Sequence, residues 1–252
     1  MKMNVTVPAV LFALWAGVTV HAQAPSAAEL LRRVDDNEIY ASIEYDGEMI
    51  IEYQNKRFVK SMKVWARENS DSFIEFVNPE DRGTKYLKKG GRLYVYSPDT
   101  EEVMLISGHM LKESMMGSDM SYEDTIENEK LSARYNPAVG GSETWTFNGA
   151  LRDCWILDLT AKKRTESYPK RKLWIDKETG DCLRYELFAL SGTKLKEYNL
   201  LRVEVLSGRR FPTEIEIRDL LRKNSKTTMI MRNAVLDRPI ADSVFSTRNL
   251  ER

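Results

Sequence analysis

From residue 48 onward, short stretches of alternating apolar and polar residues recur, each closed by turn-forming residues, and this rhythm restricts the chain to an antiparallel meander. Residues 48–53 and 57–67 read as a hairpin around Gln54-Asn55-Lys56. Residues 72–77, 83–87, 92–96 and 103–106 follow as short strands, punctuated by Asn78-Pro79, Gly90-Gly91 and Ser97-Pro98-Asp99. Parallel α/β units would need long helical crossovers, for which these connections leave no room. In the second arm of the first hairpin, Phe58, Met62, Val64 and Ala66 share one face, and Trp65 stands on the other. A solvated tryptophan there would be costly, so part of that second face is expected to be covered.

The pattern resumes at 131–135 and 143–147 and is clearest in 153–161, 170–176 and 183–190. Further strands are expected at 194–205, 212–219 and 226–236. No flexible linker composition interrupts the run, so residues 25–252 form one domain. It starts with a helix in which Ser26 caps, Glu29 completes a capping box, and Leu30, Leu31 and Val34 form the apolar face. It ends in a clasp, where Ala241, Val244 and Phe245 pack after the break at Pro239.

Residues 1–24 read as a cleavable export signal: Lys2, an apolar run from Val5 to Val20, then the small-x-small pattern Ala22-Gln23-Ala24. An uncleaved anchor fits less well, because the run is shorter than a membrane span of about 20 residues. No cysteine lies near the boundary to take a lipid, so the expectation is an exported, unlipidated protein. Removing Lys2 from the balance of 38 basic and 38 acidic residues leaves a charge of −1, which argues against a nucleic-acid surface. The clusters Lys162-Lys163-Arg164 and Lys170-Arg171-Lys172 read as solvated hairpin ends. Export permits a disulfide between Cys154 and Cys182, but an intervening strand would hold them too far apart unless twist or strand order brings them together. Both outcomes stay open, while two cysteines without other soft ligands argue against a metal site.

One segment breaks the β rhythm. Between Gly108 and Asp124 lie four methionines, at 110, 115, 116 and 120, and unbranched thioethers adapt to irregular apolar space. This stretch reads either as a packed connector or as a soft wall over a cavity, with residues 121–126 as a short helix or turn. His109 beside Ser107, Glu113, Ser114 and Asp119 has no nucleophile-elbow context, and Asp119, Glu123 and Asp124 lack a calcium-loop pattern. Neither a Rossmann fingerprint nor a P-loop occurs, so no enzyme activity and no cofactor are expected.

The runs Glu80-Asp81-Arg82-Gly83-Thr84-Lys85-Tyr86-Leu87-Lys88, Leu93-Tyr94-Val95-Tyr96-Ser97-Pro98, residues 114–124 and Lys172-Leu173-Trp174-Ile175-Asp176, taken in order, resemble the bacterial outer-membrane lipoprotein-sorting protein family with a LolA-like fold. The resemblance implies a mainly β fold: a curved, incomplete antiparallel β-barrel with short helices covering a hydrophobic concavity. It also implies a periplasmic carrier shielding the acyl chains of lipids or lipoproteins, served by an inner-membrane donor and an outer-membrane acceptor, with transient membrane contact. A lipid-binding sensor or regulatory interaction protein without transport is the alternative.

Under that resemblance the candidate lining is Trp65, Phe73, Phe76, Leu93 and Val95 on strands, with Met110, Leu111, Met115, Met116, Met120 and Tyr122 as an adaptable lid. Arg82, Lys85, Tyr86, Tyr94 and Tyr96 are the candidate rim, where phenol rings meet acyl groups and hydroxyls stay near polar surroundings. For every apolar member, ordinary core packing is the competing reading.

Overall fold

The computed structural model describes residues 25–251 apart from 39, 69 and 128. The segment read as a signal lies outside the described residues. Helix α1, Ala27–Glu38, starts where Glu29 N donates to Ser26 Oγ at 3.2 Å, as the capping pattern predicts. Its buried Leu30, Leu31 and Val34 form one stripe, while Arg32 and Asp36 pair on the exposed side at 2.6 Å.

The strands are β1 Ser42–Tyr53, β2 Lys56–Arg67, β3 Asp71–Phe76, β4 Lys85–Lys89, β5 Arg92–Ser97 and β6 Glu102–Ile106. The second series is β7 Tyr135–Phe147, β8 Ala150–Ala161, β9 Lys170–Asp176, β10 Cys182–Phe188, β11 Lys194–Leu206, β12 Arg209–Asp219 and β13 Ser225–Leu236. They make one curved 13-stranded sheet that does not close, in the order β6-β5-β4-β3-β2-β1-β13-β12-β11-β10-β9-β8-β7. Each series is a meander, and the two join where β1 pairs antiparallel with β13. Local turn chemistry sets these hairpins: Gly90-Gly91 and Asn148-Gly149 have positive φ at both positions, the backbone that matches the twist of the flanking strands.

This order leaves β6 and β7 at opposite edges, and residues 107–134 must run from one to the other. They do so across one face, here called inner, as two 3-10 turns (Gly108–Lys112 and Met115–Gly117), helix α2 (Tyr122–Ile126) and helix α3 (Leu131–Arg134). Residues 131–134 were expected to be extended and are helical instead. The reason is non-local: Leu131 N and Ser132 N donate to the two Asp35 oxygens at 2.8 and 3.1 Å, so a carboxylate on α1 caps α3. Strand β7 is correspondingly continuous through Pro137, Gly140 and Gly141, absorbing them with a bulge between Val139 and Gly141. An edge strand tolerates a proline that a central strand would reject.

The outer face explains Trp65. It packs with Phe73 and Leu87 beneath the C-terminal segment, whose Phe245 and Leu250 are fully buried, the latter on helix α4 (Thr247–Leu250). Arg67 pairs with Asp242 and lies 4.6 Å from the Phe245 ring centre, which fixes the clasp. The cysteines are not joined to each other. Cys154 on β8 packs on the outer face with Ile156 and Trp174, whereas Cys182 on β10 packs towards the α1 cluster, with β9 between them. Burial, aided by Asp176 and Asp153, pushes the Cys154 thiol up to about 11.

A cleft between the connector and the first helix

The connector is tied to the sheet by buried carboxylates. Asp119 accepts from Thr227 Oγ1 at 2.7 Å, Ser225 Oγ at 3.0 Å and Asp219 N at 3.0 Å, bonding it to β13 and β12. Asp124 accepts from Lys196 Nζ of β11 at 2.5 Å and from the Tyr168 hydroxyl at 2.7 Å, while closing a capping box with Ser121. Glu127 meets Arg171 of β9 at 2.6 Å and Arg134 at 3.0 Å. Burial opposes its ionisation, yet Arg171 and Arg134 hold its carboxyl below the ordinary value. The acidic residues of this segment thus anchor a strap across the inner face.

Among the described residues, the first half of the strap packs against one apolar cluster. Met115 joins Met49, Ile51, Met62, Val64, Phe76, Tyr86, Leu93 and Ile106 in one cluster, with Val95, Met110, Leu111, Met116 and Tyr122 against it. The Tyr86 hydroxyl lies 3.1 Å from Met116 Sδ and 3.3 Å from the Tyr122 hydroxyl. Burial and the bond to Tyr122 raise its pKa, so it stays a neutral phenol.

Lys88 reaches the strap as well, donating to Glu127 O at 3.3 Å. Burial pushes its ammonium down from 10.5 to about 8, against the opposing pull of Asp71 and Glu127. The folded state therefore holds this proton less readily than the unfolded chain. Stability from this group is full above 10.5 and is lost as pH falls towards 8, by about 1.4 kcal/mol per unit. Across that window the wild type should gain stability relative to Lys88→Met, measured by urea unfolding at pH 8 and 10.5; a pH-independent difference would contradict the assignment.

Among the described residues, two cavities adjoin beneath the second half. One cavity of about 250 Å³ is bounded by Met120, Asp124, Glu127, Tyr168 and Arg171 on its upper side and by Tyr45, Tyr185, Leu187, Tyr198, Ile215, Ile217, Met229 and Met231 along the sheet. A second, of about 320 Å³, extends towards α1 between Val34, Tyr40, Cys182, Leu200, Val203 and Pro212, with Asp181 and Arg210 at its border. Both touch Tyr185, Tyr198 and Ile215, so they adjoin. The two tyrosine rings stack at 4.2 Å with 13° between their planes, presenting a flat wall. Burial raises Tyr198 well above its ordinary value and lifts Tyr45 to about 12, which keeps both phenols uncharged. Apolar surface bordered by fixed ion pairs suits a ligand with a long apolar part.

Of the residues proposed from sequence, Met120 alone borders these cavities. Phe76, Leu93, Val95, Met110, Leu111, Met115, Met116, Tyr86 and Tyr122 come together as filled core. Trp65 and Phe73 lie on the outer face with Tyr94 and Tyr96, because their strand positions alternate with those of Val64, Ile74 and Val95. Lys85 is also there, donating to Leu250 O at 3.2 Å with its ammonium 5.5 Å from the Tyr96 ring centre. Arg82 is exposed in the β3–β4 turn. Most of the cavities' sheet-side lining comes from β10 to β13, where alternation, as in Ile215 and Ile217 or Met229 and Met231, marks an apolar face without showing that it is left partly uncovered.

No curated protein matches this chain. Among solved structures, a DUF1329 family protein from Desulfovibrio piger superposes with a TM-score of 0.78 at 28% identity, covering 89% of this chain and 97% of that one. A putative outer membrane lipoprotein-sorting protein domain from Vibrio parahaemolyticus gives 0.77 at 20% identity, over 90% and 98% of the two chains. A LolA superfamily protein from Nitrosomonas europaea gives 0.71 at 20% identity, over 90% and 100%. The superpositions over nearly the whole of both chains make the fold LolA-like. The model of a family described as an uncharacterized protein matches residues 68–252, and the chain belongs to that family, whose fold is LolA-like.

Proposed function

We propose that this protein is a periplasmic carrier that holds acyl chains of lipids or lipoproteins in the cleft between strap and α1 and moves them towards the outer membrane. The observation that carries the reading is the pair of adjoining, largely apolar cavities on the strapped face of a LolA-like sheet. A methylene is about as large as a water molecule, whose share of liquid volume is about 30 Å³. Cavities of about 250 and 320 Å³ thus match one long acyl chain, and a cargo with more chains requires the strap to lift.

Each methylene buried from water contributes about 0.8 kcal/mol, but a chain drawn from a bilayer leaves an equally apolar place. Cargo therefore moves between membranes for little net free energy. The cleft has only to exclude water during transit, and an inner-membrane donor and outer-membrane acceptor set the direction. The export signal read at residues 1–24 supports the periplasmic location.

Native mass spectrometry of protein recovered from an envelope fraction, with identification of the extracted lipid, tests this reading. The expected result is stoichiometric acyl lipid or lipoprotein on the protein. Repeated recovery without lipid, joined to failure to take up added acyl ligands, would overturn it.

A further inference from the structure

We infer that the neighbouring tips of the β10–β11 and β12–β13 hairpins form a docking surface for an anionic phospholipid bilayer. Leu190 is 77% exposed, Leu221 70% and Leu220 41%, although each tip is an ordered turn. Ala189 N donates to Thr193 O at 2.9 Å, and Leu221 N donates to Asp219 Oδ1 at 2.9 Å. The tips are adjacent, since β11 pairs with β12 and Leu220 N donates to Leu195 O at 2.8 Å. Closed turns that hold leucines in water lose nothing in backbone bonding when those side chains enter a bilayer interface.

Charge selects the occupant. At the same end of the sheet, the β1–β2 turn is bonded to this hairpin through Gln54 N and Asn224 O at 3.0 Å, and it carries exposed Lys56 and Arg57. Lys223 follows the leucines, and the β8–β9 loop adds exposed Lys163 and Arg164. The acidic side chains among these loops are engaged: Glu166 pairs with Arg134, and Asp219 accepts from its own turn. Protruding leucines among cations fit a soft, negatively charged surface. A second copy would bring the same cations face to face.

The docking hairpin also holds the strap. Both terminal nitrogens of Arg222 donate to Gly117 O at 3.1 Å, and Asp219 N donates to Asp119 Oδ1 at 3.0 Å. Lipid phosphates compete for Arg222, so docking loosens the strap over the cleft. That consequence rests on the acyl-carrier reading; the docking itself does not.

The test is flotation of lipid-free full-length mature protein with vesicles of phosphatidylcholine alone or mixed with phosphatidylglycerol, at about 0.1 M salt. The wild type is expected on the mixed vesicles, with at least tenfold weaker partition onto phosphatidylcholine. Leu190→Ser combined with Leu221→Ser should reduce partition onto mixed vesicles at least tenfold with an unchanged thermal melt. No vesicle binding, equal binding to neutral vesicles, undiminished binding by the folded leucine variant, or self-association abolished by that variant would each overturn the inference. Ile215→Trp, a substitution in the cleft, should leave docking unchanged. Failure to dock therefore leaves the carrier reading standing, and failure to take up acyl ligands leaves the docking standing.

Discussion

Replacing Lys196 by alanine should lower the unfolding free energy by about 3–5 kcal/mol, the range observed when one member of a buried ion pair is removed. Lys196 and Asp124 are each 7% exposed at the side chain, and their atoms meet at 2.5 Å. The lysine amine also lies 5.9 Å from the Tyr168 ring centre and is largely shielded from water. Without it, the Asp124 carboxylate keeps its bond from Tyr168 and its capping contact but no cation, and burial makes that charge expensive. In a domain of this size such a loss lowers the melting temperature by roughly 10 °C.

The surface pair Arg32–Asp36 provides the control, with side chains 65% and 47% exposed. Arg32→Ala should cost less than about 0.5 kcal/mol, since solvent screens that pair. Adding Asp124→Leu to Lys196→Ala should restore part of the loss, because the uncompensated charge goes with it, although the helix cap is lost too. Denaturant unfolding of the three variants measures all of this. If Lys196→Ala unfolds within 1 kcal/mol of wild type, the strap is not held in the way described.

Strand alternation and turn pairs such as Gly90-Gly91 are local signals, and they led to the correct meander and to Trp65 facing away from Val64. The Ser26–Glu29 cap was equally local. Leu131 reads as extended from its own neighbours because its helical turn is imposed by Asp35, 96 positions away, through a bond that no window around Leu131 contains. The methionine-rich stretch reads either as a packed connector or as a soft wall over a cavity, and its composition does not separate the two. Whether such a segment seals or spans a space depends on how much side-chain volume rises to meet it. Beneath Met115 the large Phe76, Tyr86 and Leu93 fill the gap, whereas around Met120 the stacked Tyr185 and Tyr198 leave one.

This contrast between filled and open halves makes a paired substitution decisive. Ile215 borders both cavities, so an indole there grows into existing space. Ile215→Trp should fold within about 1 kcal/mol of wild type, since enlargement is costly only where packing is already complete. Its affinity for a fluorescent acyl ligand should fall about 100-fold, equivalent to about 2.7 kcal/mol. Met115 is 4% exposed and meets the packed cluster, so Met115→Trp should lose about 1–3 kcal/mol of stability while the folded fraction binds acyl ligand as wild type does. Titration of both variants, corrected for folded fraction by their thermal melts, separates the two halves of the strapped face. Wild-type affinity in Ile215→Trp would remove the cleft from consideration. Lost affinity in a folded Met115→Trp would instead move the binding site beneath the first half of the strap, where the strap and strands would then have to part to admit a chain.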